Sequence, residues 1–263
     1  MGATYLDDIV AHHRERAARD ERSWRGRVDR IQHEGPSLRG ALRGSSTVAV
    51  IAEVKRRSPS KGWLARELDA VQLARDYERG GAAAISVLTD EEYFAGSRED
   101  LLAVHRSVEL PVLRKDFTVG PNDVIDAAEM GAAGVLLIAA ALSDVELRLL
   151  LDVASRVGLD ALVEVHDELE TRRAIDAGAT TVGVNQRDLH TFEVDVGRAV
   201  RVAASLPVDV VRVAESGLAS RDDVERASAA GFDAVLVGEA LVTSDDPAAA
   251  VRDLCGVPKD ARE

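Results

Sequence analysis

A chain of 263 residues, 46% apolar and 30% charged, buries a substantial core and suits one large α/β domain or two small ones. Its formal net charge of −13 repels nucleic acid and anionic membrane, so neither is an expected partner, and an anionic small ligand needs a local basic pocket. The single cysteine, Cys255, excludes an intrachain disulfide and a cysteine-based metal site; a reducing, cytoplasmic location is the expectation.

The N-terminal run MGATYLDDIVAHHRERAARDE has no apolar leader core and reads as a charged amphipathic helix. Residues 1–46 are expected to form one or two extra helices covering part of a pocket mouth, so that removing residues 1–44 leaves a folded but weaker protein. His12, His13 and His33, within this region, read as solvated. Eight short β-branched runs follow: VAVIAEV (48–54), AAISVL (83–88), PVLRK (111–115), GVLLIA (134–139), ALVEV (161–165), TVGVN (181–185), VVRVAE (210–215) and DAVLVG (233–238). Between them lie segments of helical period, such as 68–81 and 143–158. Many end in a glycine able to form a left-handed cap: Gly80 or Gly81, Gly131, Gly158, Gly178 and Gly231. The longest apolar run, 131–142, is too short to span a bilayer. Strands alternating with helices imply parallel pairing, and eight such units fit a closed (β/α)8 barrel. An open doubly wound sheet is the alternative, although no GxGxxG follows the first strand. No linker divides the chain, so residues 1–263 are expected to form one barrel domain with 1–46 as a helical extension.

In such a barrel, chemistry sits at the C-terminal ends of the strands. Polar residues gather there: Glu53 and Lys55 on the first strand, Lys115-Asp116 on the third, and Glu164 and His166 on the fifth. Asn185 and then Arg187 end the sixth, Glu215-Ser216-Gly217 the seventh, and Gly238 the eighth. Side chains alternate along a strand, so Glu53 and Lys55 share a face, Lys115 shares one with Leu113, and Glu164 with Leu162, while Asp116 faces away from Lys115. The loop RRSPSKG has turn-setting Pro59 and Gly62 and reads as a flap carrying Ser58 and Lys61 over a ligand, or as an ordinary polar loop. The glycine-bearing turns after the seventh and eighth strands lead into helices near Ser220 and near Asp246-Pro247. They suit phosphate, which backbone N–H groups at such turns bind. His105 and His190 have no ligand-like partners in sequence, His166 follows a strand-end glutamate but reads as structural rather than as a ligand, and no metal is expected.

These motifs resemble the indole-3-glycerol phosphate synthases of tryptophan biosynthesis. The likeness runs through IAEVKRRSPSKG (51–62), DYERGGAAAISVLTDEEYFAGS (76–97), LPVLRKDF (110–117), LLIAAAL (136–142), ALVEVHDELE (161–170), NQRDLHTFEVD (185–195), AESGL (214–218) and LVGEALV (236–242), in order along nearly the whole chain. The resemblance implies ring closure of 1-(2-carboxyphenylamino)-1-deoxyribulose 5-phosphate, with loss of carbon dioxide and water and without a metal or organic cofactor. By the same likeness Lys115 matches the general acid and Glu164 the general base, while Glu53 and Asn185 match residues that orient the reacting portion. Lys55 matches a second catalytic or substrate-binding lysine, leaving open which lysine is the principal acid. Ser58 and Arg187 match the surroundings of the ring carboxylate, and Phe94 matches a pocket wall. Ser216, Gly217 and Gly238 match the phosphate site, with Glu215 beside them among the substrate-binding residues. Departures at Gln186, Ala133 and Asp123 leave open a paralogue for a modified anthranilate. A Schiff-base aldolase using Lys115 or Lys55, and a non-catalytic binding barrel, are the readings from other classes. The expected partner is a small phosphorylated substrate, and the expected state a monomer or weak homodimer.

Overall fold

The computed structural model of the chain describes residues 5–59, 61–186 and 196–260. Eight parallel strands close into a barrel: β1 (Ala49–Val54), β2 (Ala84–Leu88), β3 (Val112–Lys115), β4 (Gly134–Ile138), β5 (Asp160–Val165), β6 (Thr181–Asn185), β7 (Val211–Glu215) and β8 (Ala234–Val237). Each pairs with its sequence neighbour, and β1 pairs with β8, so the fold is the expected (β/α)8 barrel and not an open sheet. The strands read as continuous apolar runs because both faces are covered, the outer by helices and the inner by the opposite wall. The expected glycine caps hold: Gly81, Gly131, Gly158, Gly178 and Gly231 all have positive φ. Ser220 and Asp246 cap the last two long helices as their positions suggested.

Register sets the inner layers. Ile51 stands beside Ala84 and Leu236, and Leu136 beside Leu162, filling the middle of the barrel. One pleat higher, Glu53, Lys115, Glu164, Asn185 and Glu215 point the same way, above the apolar filling. Barrel closure therefore turns five distant strand ends into one charged ring.

The N-terminal segment is more divided than its composition implied. It contains helices Tyr5–Ala18, Trp24–Arg27 and Leu38–Arg43, with a 3-10 turn at Val28–Arg30. Ser37 explains the last break, because its hydroxyl accepts from the Gly40 N–H as an N-cap. The two ends of this segment do different work. Leu38 and Leu42, both 0% exposed, pack with Ala49, Leu113 and Leu162 and plug the floor of the barrel. Gly134 leaves room for the plug, since a Cβ there would lie 2.6 Å from Leu38 Cδ2. Asp160 fastens it, accepting from Ser37 Oγ and from the Arg39 N–H, each at 2.8 Å. The first helix instead lies at the opposite mouth. Arg16 reaches Asp123 at 3.0 Å, and Arg22 grips buried Asp126 through two 2.9 Å bonds. The expectation that residues 1–44 merely cover the pocket is thus corrected, since a cut at 44 also removes the floor plug.

Deleting residues 1–20 is expected to leave a cooperatively folding barrel with weakened substrate binding. Leu38→Ala or Leu42→Ala is expected to cost roughly 2–5 kcal/mol, as for other large-to-small changes in a core. Urea unfolding of the three variants checks this. A loss below about 1 kcal/mol at both leucines would show that the plug does not stabilise the barrel.

Candidate active site

One cavity of about 580 Å³ opens at the C-terminal ends of the strands. Glu53, Lys55, Ser58, Phe94, Lys115, Glu164, Asn185, Ser216, Gly217 and Gly238 all line it. Ten residues drawn from separate stretches of sequence thus meet in one place. Glu215 is 2% exposed and lies just beneath, its Oε2 3.8 Å from Lys115 Nζ. Arg187, together with Ser60 and His190, lies outside the described residues.

The floor of the cavity is a buried electrostatic cluster. Lys115 Nζ is 3.5 Å from Glu164 Oε2, and Asn185 Nδ2 donates to Glu164 Oε1 at 3.2 Å. Lys55 Nζ meets Glu53 Oε1 at 2.6 Å on the adjoining wall. Burial opposes the Lys115 charge, but the Glu164 charge, with that of Glu53, outweighs it and holds the ammonium above the ordinary lysine range. Burial likewise pushes Glu164 up, yet Lys115, His166 and the Asn185 amide hold it below the usual carboxylate range. Glu215 goes the other way: burial, then the neighbouring Glu164 charge, drive its carboxyl well above the usual range, so it keeps its proton. Two carboxylates then face two ammonium groups, and the cluster is close to neutral before substrate arrives.

Glycines make the space. A Cβ on Gly183 would lie 1.8 Å from Glu215 Oε1, so the missing side chain on β6 is where the β7 carboxyl sits. A Cβ on Gly238 would lie 2.5 Å from Glu53 Oε1 and 3.1 Å from Lys55 Nζ. Ser216 and Gly217 are consecutive left-handed residues, with φ of 66° and 72°. A non-glycine residue held there marks a constrained turn. On the outer face of β3, Asp116 takes buried Arg114 and Thr89 as partners, each at 2.6 Å, and this pair fixes the strand end from which Lys115 projects inward. Burial opposes the Asp116 charge, but Arg114 holds the carboxyl down at about 2.

The flap is an antiparallel hairpin of Arg57–Ser58 with Gly62–Trp63, and Gly62, expected to set a turn, has a positive φ of 69°. Lys61 reaches Glu239 at 2.7 Å across the mouth. From the sequence His166 reads as a strand-end residue with no role in the site, and no residue of the roof stands out there. His166 Nε2 lies 3.6 Å from Glu164 Oε1 while its Nδ1 meets Glu170 at 3.0 Å, and the two-residue spacing from Glu164 was the available signal. Tyr5, Leu6 and Ile9 roof the cavity from the first helix, a contact no local pattern announces. Among the N-terminal histidines only His12 is exposed as expected; His33 is half-buried, and His13 is 1% exposed because it bonds Asp90.

A cavity lined by Lys115, Glu164 and other charged side chains at the C-terminal mouth of a closed parallel barrel defines a (β/α)8-barrel protein with its candidate active site at the end usual for enzymes of this fold. Comparison with known proteins specifies it. Residues 6–254 match the family model for indole-3-glycerol phosphate synthase. Indole-3-glycerol phosphate synthase of Nocardioides sp. is 52% identical over 260 residues, covering 96% of this chain and 98% of its own. Indole-3-glycerol phosphate synthase 1 of Streptomyces coelicolor is 50% identical, covering 95% and 92%, and the Koribacter versatilis protein is 47% identical, covering 86% and 87%. A solved thiamine phosphate pyrophosphorylase from Pyrococcus furiosus superposes with a TM-score of 0.60 at 18% identity over 83% of this chain and 96% of its own, a likeness of fold alone. The chain belongs to the indole-3-glycerol phosphate synthase family. Its reaction is that of a carboxy-lyase forming indole-3-glycerol phosphate in tryptophan biosynthesis.

Gly183→Ala is expected to displace the Glu215 carboxyl and disturb Lys115 and Glu164 with it, costing about 1–3 kcal/mol as overpacking. Adding Glu215→Ala should restore most of that stability without restoring activity. Thermal unfolding of the single and double variants reads this coupling, and additive losses would refute it.

Proposed function

We propose that Lys115 and Glu164 are the acid and base of the ring closure, with the phosphate at the turns of Ser216, Gly217 and Gly238. The observation that carries the assignment is the 3.5 Å approach of Lys115 Nζ to Glu164 Oε2 inside the cavity. The substrate is 1-(2-carboxyphenylamino)-1-deoxyribulose 5-phosphate. Its carboxyl-bearing ring carbon is a weak nucleophile and must attack the ribulose ketone. Lys115, kept protonated by its carboxylate neighbours, gives a proton to the ketone oxygen as the carbon–carbon bond forms. Cleavage of the bond to the carboxylate then releases carbon dioxide, and its electron pair restores the aromatic ring. Dehydration follows. The new hydroxyl leaves as water with a second proton from Lys115, which has regained one from solvent, and Glu164 takes a proton from the adjacent carbon of the five-membered ring and later releases it to solvent. A carboxylate held below its usual range is ionised and ready for that role. No step calls for a metal or organic cofactor.

Glu53 and Asn185 orient the reacting portion, the first by fixing Lys55 and the second by fixing Glu164. Lys55, Ser58 and Arg187 receive the ring carboxylate, Phe94 walls the ring, and Glu215 sits below the reacting centre. The aldolase reading fares worse, because a Schiff base needs a neutral amine and the environment of Lys115 favours the ammonium.

Lys115→Met and Glu164→Gln are each expected to lower kcat by at least about 10²-fold, the usual contribution of general acid–base catalysis. Affinity for indole-3-glycerol phosphate should change far less. Gly217→Ala, placing a side chain on a left-handed residue, should instead raise KM with a smaller effect on kcat. If Lys115→Met stayed within a few-fold while Lys55→Met abolished turnover, the acid would be Lys55.

We further propose that residues 1–263 act as one domain in the cytoplasm, as a monomer or weak homodimer. The charge of −13, which opposes self-association, and the free thiol of Cys255 support this. Among the described residues no helix is long and apolar enough to cross a membrane. Sedimentation velocity and cell fractionation test these points, and a tight dimer at nanomolar concentration or a secreted pool would overturn them.

A further inference from the structure

We propose that His13 is a positioning residue for this reaction, the clasp that makes the pocket roof and the aromatic wall a single body. His13 lies on the first helix, four residues after Ile9 and seven after Leu6, so all three share the face turned to the barrel. Ile9 and Leu6 line the cavity. His13 is itself outside that lining and 1% exposed. Its Nε2 lies 2.8 Å from Asp90 Oδ2, and since an ionised carboxylate only accepts, the nitrogen carries the proton.

Asp90 is a junction. Its other oxygen, Oδ1, accepts from the N–H groups of Tyr93 at 2.6 Å and Phe94 at 3.0 Å. That bond pair caps the short turn Glu91–Phe94, which sets Phe94 into the cavity wall. The imidazole also lies against Phe117, ring centroids 5.3 Å apart, and Phe117 lies 6.1 Å from Phe94. On its far side His13 Nδ1 faces Asp116 Oδ1 at 3.9 Å, beyond hydrogen-bond reach. Asp116 is already held by Arg114, Thr89 and the Phe117 N–H. That guanidinium argues against a metal ion as the reason for the His13, Asp90 and Asp116 cluster. What remains is a mechanical role. One buried imidazole links the roof helix, the Phe94 turn and the Phe117 segment beside Lys115. The consequence falls on the ring end of the substrate, opposite the phosphate turns, and so rests on the placement proposed above.

The test compares His13→Leu, which keeps bulk but donates nothing, with His13→Gln, whose amide reaches a similar distance and donates. His13→Asn, too short to reach Asp90, is a polar counterpart should the leucine variant not fold. His13→Leu and His13→Asn are expected to raise KM about tenfold with kcat within about threefold, the scale of one lost charge-assisted hydrogen bond. Trypsin should also cut faster after Arg14 and Arg16 in these variants. His13→Gln should restore KM to within about threefold of the parent. An unchanged KM in His13→Leu and His13→Asn despite a lowered melting temperature, or a glutamine variant as impaired as the leucine one, would overturn the proposal. Phe94→Ala separates the two claims. A raised KM there with His13→Leu unaffected sinks the clasp alone, whereas an unaffected KM in Phe94→Ala sinks the ring-end placement.

Discussion

The structure depends on the burial of Lys115 among carboxyl groups at the top of a packed barrel. A lone ammonium in that position would be driven to neutrality by desolvation, and lone carboxylates likewise. With Glu164 3.5 Å and Glu215 3.8 Å from the Lys115 ammonium, the three settle the question jointly: the lysine stays charged, one glutamate stays ionised, and the other keeps its proton. An ammonium and a carboxylate therefore coexist side by side in the pocket floor. Glu164 on β5 and Glu215 on β7, with β6 between them, hold opposite protonation states because burial penalises both charges and only one ammonium lies beside them.

The barrel serves this cluster at every level. Below it, Ile51, Leu113, Leu136 and Leu162 fill the interior, so the cluster has no route to water from beneath. Leu38 and Leu42 complete that seal at the floor. Around it, Gly183 and Gly238 lack side chains where Glu215 and the Glu53–Lys55 pair need volume. Behind it, the buried Arg114–Asp116 pair on the other face of β3 fixes the strand that carries Lys115. Above it, the first helix brings Tyr5, Leu6 and Ile9 over the opening.

The N-terminal segment thus touches both ends of the barrel, and its charges explain how. Arg16, Arg22 and Arg27 settle on Asp123 and Asp126 of the helix Pro121–Glu129, and Asp160 fixes the start of the floor plug. Asp123 is one of these docking partners, with Arg16 Nη2 3.0 Å from its Oδ1.

By itself the sequence determined the eight strands, the helices between them and the left-handed glycines that end those helices. All of these are properties of neighbouring residues: period, β-branching and the φ that only glycine takes cheaply. It also determined which strand ends carry charge and which way each side chain points, because alternation is local. Only the tertiary structure decided which distant charges meet. Lys115 and Glu164 are 49 residues apart and meet only when the barrel closes, whereas Glu53 and Lys55, two residues apart on one strand face, are brought together locally. The proton on Glu215, the place of Leu38 in the floor and the burial of His13 against Asp90 arise from the same closure. Each depends on the dielectric and the neighbours that distant segments supply, which local periodicity does not encode.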